Sequence, residues 1–256
     1  YGDVLGAGSG MSNTIMHNTK LKKIFKNFFE NEDKFVLGVC NGCQFLSGLK
    51  DIIPGASNWP KFEKNLSNQY ECRLVQIKIA ESRSIFFKDM QNSVIPIMVS
   101  HGEGRVVVNV NENVIGNYVD SSHNIAEKYP LNPNGSKNGI AGVCNEDGRI
   151  TIMMPHPERT FMTKQFSWAP NDWDEHSPWF KMFDNAYKFS KNYYLRTSLK
   201  TLFLSSSRNN CRVLLTVGKA NSSQGISSIL NNFTSLLSGV GPKLEPLISP
   251  VKKVYI

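Results

Sequence analysis

Cys40 is the residue whose setting could most plainly do chemistry. It lies in Gly38-Val39-Cys40-Asn41-Gly42-Cys43-Gln44. Residues 34–39 before it read as a short buried strand, and residues 41–49 after it as a helix. A strand that turns sharply into a helix holds the turn residue strained and exposed, as a nucleophile elbow does. The small residues Gly38 and Gly42 let neighbouring backbone pass close to that position. A thiol there faces the positive end of the following helix, which favours thiolate, and the helix's first N–H groups can receive a developing oxyanion. A thiolate needs a base, and His156 follows residues 148–154, another predicted strand, which puts it at a strand's C-terminal edge. Glu158 is two residues on and shares a face with it, with Pro157 restricting the backbone between them. Cys40, His156 and Glu158 together match the logic of a triad for acyl transfer from an amide or ester.

Other readings compete. Cys40 and Cys43 also spell C-x-x-C, a spacing that redox dithiols place at a helix start. A structural zinc site needs about four ligands, and no second closely spaced Cys/His pair exists, so no metal is expected. His101, in Ser-His-Gly-Glu-Gly-Arg, competes with His156 for the role of base, with Glu103 reading as a solvated acid. Cys72, Cys144 and Cys211 carry no motif and read as structural. Trp168, Trp173 and Trp179 read as packing for an irregular segment.

Several elements must position these residues. Apolar spacing predicts a helix over residues 14–29, with Ile15, Leu21, Ile24, Phe25 and Phe28 on one face. Strands are predicted over residues 73–80, 95–100 and 105–110, with a turn over 101–104 between the last two. A helix over residues 179–189 closes the series. Strands interleaved with helices predict an α/β domain.

The text around these elements resembles a known family. Gly-x-Cys-x-Gly-x-Gln with a later His-Pro-Glu resembles the class I glutamine amidotransferases. YGDVLGAG, GVCNGCQ, IPGASNWPKFEKNLS, SHGEGR, YPLNPNGS, IMMPHPER, SWAPNDW and SPWFKMF follow in order. Together they resemble the glutaminase domains of phosphoribosylformylglycinamidine synthases of the large single-chain form, from residue 1 to about residue 189. The resemblance implies an open, mostly parallel sheet with flanking helices, of flavodoxin-like type. It also implies Cys40 as nucleophile, His156 as base, Glu158 as orienting acid, and Gln44, Gly42 and His101 around the substrate glutamine. Ammonia released from glutamine would serve the ATP-dependent conversion of formylglycinamide ribonucleotide to formylglycinamidine ribonucleotide in purine biosynthesis. ATP and Mg2+ would belong to a synthetase portion, the implied partner, and no cofactor to this part. In that family the domain begins several strands earlier, with a Gly-Gly-Phe-Ser lead-in. The chain therefore reads as a domain truncated at its N-terminus, and a fragment without independent catalysis is the alternative reading.

Charge divides the 256 residues in two. The net charge of +8 lies wholly after residue 190, where nine basic groups face the single acid Glu245. Residues 1–190 are expected to form the amidotransferase domain, and residues 191–256 a basic, Ser-rich tail of unknown origin. One amphipathic helix is expected over residues 226–237, from Ile226, Ile229, Leu230, Phe233, Leu236 and Leu237. The tail's basic groups are scattered without aromatic interleaving, which argues against a nucleic-acid partner. No apolar run reaches the ~18–20 residues of a membrane span, so no membrane partner is expected, and unpaired cysteines with no secretory signal suggest the cytoplasm.

Overall fold

The computed structural model describes residues 5–194, with side chains to residue 190. Two helices come first, α1 (Ala7–Met16) and α2 (Thr19–Glu30). The single helix expected over residues 14–29 is thus interrupted. Asn18 leaves helical geometry and its side chain accepts the Leu21 N–H, capping a new helix at 3.1 Å. An N-terminal Asn cap satisfies a donor that a continuous helix would have bonded internally, which is why apolar periodicity alone did not reveal the break.

The strand β1 (Val36–Val39) is buried along its whole length and runs directly into α3 (Asn41–Ser47). β2 (Phe62–Lys64) and β3 (Glu71–Ile79) follow, then β4 (Val94–His101) and β5 (Glu103–Val106). β6 (Val114–Val119), β7 (Ile140–Cys144), β8 (Ile150–Met153) and the helix α4 (Phe180–Tyr194) complete the described elements. Six strands form one sheet in the order β1-β8-β7-β6-β3-β4, and β2 pairs with β5 apart from it. The α/β class stands.

The pairing within the sheet departs from the mostly parallel arrangement expected. Only β1 and β8 are parallel, and the other four pairings of the main sheet are antiparallel. The links explain it. A parallel neighbour needs a crossover, usually an α-helix, and no α-helix lies between β3 and β8. β7 reaches β8 through the turn at Asp147-Gly148, where Gly148 has φ +77 and a Cβ would meet the Arg83 carbonyl oxygen.

Packing fixes the one parallel pair in place. α2 leans on α3 through Phe25, whose ring meets Phe45 edge-on at 6.1 Å. Arg149, buried at the start of β8, donates to the carbonyls of Phe29, Asn31 and Lys34. It therefore joins the end of α2 and the entry to β1 to β8. At the far edge, fully buried Trp179 donates to the Pro96 carbonyl at 2.8 Å, and Asn185 of α4 donates to those of Phe86 and Lys88. Trp173 packs edge-on against Phe166, whereas Trp168 is exposed, contrary to the packing role expected for it. The expected tail beyond the end of α4, including its helix over residues 226–237, lies outside the described residues.

Candidate active site

The parallel pairing of β1 and β8 brings the key residues to one edge. Val39 pairs with Met153, and the Cys40 N–H continues the ladder to the Met153 carbonyl at 2.9 Å. Cys40 therefore leaves β1 where residues 154–156 leave β8, on the next strand. Cys40 has φ 53 and ψ −108, a left-handed, strained conformation for a residue with a Cβ. Such a turn lets α3 start at once and points the side chain off the strand end. Gly38 makes it possible: a Cβ there would come 2.7 Å from the Gly42 carbonyl oxygen and 2.6 Å from a Leu46 methyl. Gly42 lies buried in the first turn of α3.

His156 is fully buried. Its Nδ1 lies 2.7 Å from Glu158 Oε1, and its backbone N–H donates to the Met98 carbonyl of β4 at 2.8 Å. Arg159 Nε stands 3.7 Å from the same Glu158 oxygen, adding positive charge behind the carboxylate. With Nδ1–H donating to Glu158, Nε2 carries the ring's lone pair. That nitrogen is buried without a hydrogen-bond partner among the described residues.

β4 supplies the third wall. The Cys40 thiol lies 3.5 Å from the Ser100 carbonyl oxygen, and Tyr70 hydroxyl meets Ser100 Oγ at 2.7 Å. His101 is next in the strand, buried, with both ring nitrogens unpartnered among the described residues. Gly104 leaves it room, because a Cβ there would come 2.7 Å from His101 Cε1. Burial first, and then the nearby His156, lower the His101 pKa to about 3. A ring that stays neutral near pH 7 can accept or donate a hydrogen bond but is poorly suited to take up a proton.

Buried polar atoms normally find partners, so the bare ring nitrogens of His101 and His156 and the buried Asn41 Oδ1 are informative. They belong to the residue after Cys40, to the segment that leaves the adjacent β8, and to β4, whose Ser100 carbonyl meets the Cys40 thiol. A small polar molecule with several donors and acceptors would satisfy them. Gln44, expected to help hold glutamine, donates its amide N–H to the Glu103 carbonyl at 2.6 Å, which ties α3 to the start of β5. Cys43 is fully buried, and burial pushes its thiol well above the usual thiol range. Of the two thiols in C-x-x-C, Cys43 is thus poorly suited to act as thiolate. Ser100 and Met98 contribute through backbone carbonyls, which side-chain types do not reveal.

The lowered His101 pKa makes a stability prediction. The folded chain keeps His101 neutral down to about pH 3, whereas the unfolded chain protonates it near 6.5. Between those values the unfolded state binds more protons, so His101 destabilises the fold progressively as pH falls through this window. Urea unfolding of the His101→Asn variant should lose less stability than the parent between about pH 7 and about pH 4. Equal losses would contradict the burial of a neutral ring.

Residues 1–190 match the model of the CobB/CobQ-like glutamine amidotransferase domain. Among solved structures, PurLQS from Thermotoga maritima is 23% identical, over 72% of this chain and 71% of that chain, with a TM-score of 0.49. A glutamine amidotransferase from Thermotoga maritima is 13% identical, over 76% of this chain and 62% of that chain, with a TM-score of 0.36.

Proposed function

Because the chain belongs to the CobB/CobQ-like glutamine amidotransferase family, we propose that its site hydrolyses glutamine through a thioester on Cys40. The observation that carries this reading is the geometry at one sheet edge: a thiol at a positive-φ elbow, with a buried His156 and its partner Glu158 leaving the adjacent parallel strand. The Cys40 sulfur attacks the side-chain amide carbon while its proton passes to His156 Nε2. The carbonyl oxygen takes up the electron pair and is met by first-turn N–H groups of α3, which no intrahelical carbonyl reaches. Collapse of this intermediate breaks the C–N bond, with His156 returning the proton to the leaving ammonia. A water molecule, deprotonated by the same nitrogen, then hydrolyses the thioester to glutamate and restores the thiol. Glu158 holds the imidazole in the tautomer that makes this possible and stabilises the imidazolium. Neutral His101, with Gly42 and Gln44 nearby in sequence and fold, lines the space for glutamine.

In the finer reading the chain is the glutaminase part of a phosphoribosylformylglycinamidine synthase of the large single-chain form. The ammonia would serve the ATP-dependent amination of formylglycinamide ribonucleotide on a synthetase portion. The ordered run of motifs from YGDVLGAG to SPWFKMF supports it. ATP and Mg2+ would be held by that synthetase portion. Among the described residues no three His, Cys, Asp or Glu side chains gather as a metal site. Residues 1–190 would be the working domain and residues 191–256 a separate tail.

Incubation of the full chain with glutamine tests the reading. Glutamate and ammonia should appear in equal amounts, with asparagine a far poorer substrate. Hydrolysis of unrelated esters or peptides without glutamine turnover would instead mark a cysteine hydrolase of other specificity.

A further inference from the structure

We propose that Glu103, the first residue of β5, is a positioning residue, a two-way clamp that holds the β4–β5 turn against both the elbow helix and the segment entering α1. The proposal rests on the reading of Cys40 as the nucleophile. Glu103 makes two contacts in opposite directions. Its backbone carbonyl accepts the Gln44 side-chain amide of α3 at 2.6 Å. Its carboxylate Oε2 accepts the Gly6 N–H at 2.8 Å, from a residue 97 positions earlier.

Gly6 is the residue before α1 and has φ +80. The N–H groups at a helix start have no partner within the helix, and a carboxylate there also faces its positive end. Leu5 lies over the same turn, since a Cβ on Gly102 would come 3.2 Å from a Leu5 methyl. α1 then returns to α3 at Gly8, where a Cβ would come 2.5 Å from Gln44 Cβ and 2.9 Å from the Phe45 nitrogen. Gly6, Glu103, Gln44 and Gly8 therefore close a ring through three separate elements.

The ring ends on the reacting groups. The strand that carries the turn also provides the Ser100 carbonyl beside the Cys40 thiol and the Met98 carbonyl that holds the His156 backbone. His101 sits between Ser100 and the turn, buried beside His156. Loosening Glu103 would free the turn to move with the wall of the thiol site. Reaction rates fall steeply when reacting groups are misplaced by a fraction of an ångström to an ångström.

The test uses the full chain with Glu103→Ala and Glu103→Gln, the second of which keeps an acceptor oxygen at the same reach. Kinetics of glutamine hydrolysis, amide hydrogen exchange over residues 6–8, and the melting temperature are read in each. Glu103→Ala should lower kcat/KM by roughly ten- to a hundredfold, chiefly in kcat. The same variant should speed exchange at Gly6 by about tenfold or more, with little change in melting. Glu103→Gln should restore both. Parent-like exchange and kinetics in Glu103→Ala, or equal damage in both variants, would overturn the clamp. If the parent chain hydrolyses no glutamine, the proposed function fails, yet the exchange measurement still decides the clamp. Protection lost in Glu103→Ala and regained in Glu103→Gln supports it, and protection kept in both variants overturns it.

Discussion

Replacing Cys40 by Ser should abolish glutamine hydrolysis, with kcat falling on the order of 10⁶-fold, as loss of a nucleophile does in triad hydrolases. Replacing Cys43 by Ala should leave kcat within about threefold of the parent, because a buried thiol that burial keeps protonated takes no part in the step. The two cysteines are three residues apart, so the contrast isolates the elbow. Both thiols are buried, but Cys40 carries the positive φ, stands beside the Ser100 carbonyl and follows the parallel strand, whereas Cys43 lies within α3. Steady-state assay of ammonia release from both variants checks this, with circular dichroism to establish that each is folded. Equal loss in both would mean that the C-x-x-C pair acts as a unit, and the redox reading would return.

The second large effect concerns the base and its orienting acid. His156→Ala should lower kcat on the order of 10⁶-fold, and Glu158→Gln on the order of 10⁴-fold, since the latter disturbs the imidazole's tautomer but leaves the base in place. The structure makes the ordering specific, because the 2.7 Å contact ties Nδ1 to the carboxylate and leaves only Nε2 for the reaction. In an enzyme that contains the synthetase portion, both variants should keep synthesis from added ammonia while losing synthesis from glutamine. Loss of both syntheses together would show that His156 and Glu158 hold the fold or a domain interface instead.

Much of the site was legible in the chain because its chemistry is local. The elbow needs a strand, a sharp turn and a helix within about a dozen residues, and small residues at Gly38 and Gly42 mark it. The His156–Glu158 pair needs only one intervening residue, so spacing alone suggested the contact that forms. What stayed hidden runs through backbone atoms and distant pairings. The carbonyls of Met98 and Ser100 have no side-chain signature, and the reach from Glu103 to Gly6 spans 97 residues. Gln44 shows the same division: its motif suggested substrate contact, but nothing in it pointed to the hydrogen bond its amide nitrogen donates to the Glu103 carbonyl.

The sheet shows the same division between local and distant. Every strand predicted from apolar pattern is present, with ends shifted by at most four residues. The direction of pairing depends on connections, and the turns and short helical segments between β3 and β8 read as loops rather than as the absence of crossovers. β6 and β7 escaped prediction because Gly116 and Gly142 interrupt their apolar runs, at positions where register shifts and close backbone approach require glycine. The break at His17-Asn18 was hidden for a related reason, since a capping side chain interrupts a helix without disturbing its apolar stripe.

Covalent capture tests the central claim most directly. The full chain is treated with a diazo-ketone analogue of glutamine, which presents a reactive carbon where the side-chain amide would lie, and the modified peptide is mapped by mass spectrometry. One adduct should form, on Cys40, at a rate slowed by excess glutamine; it should be absent from Cys40→Ser and retained in Cys43→Ala. Modification of Cys43 or the exposed Cys72 in place of Cys40, or labelling indifferent to glutamine, would contradict a glutamine-directed nucleophile at the β1–α3 elbow.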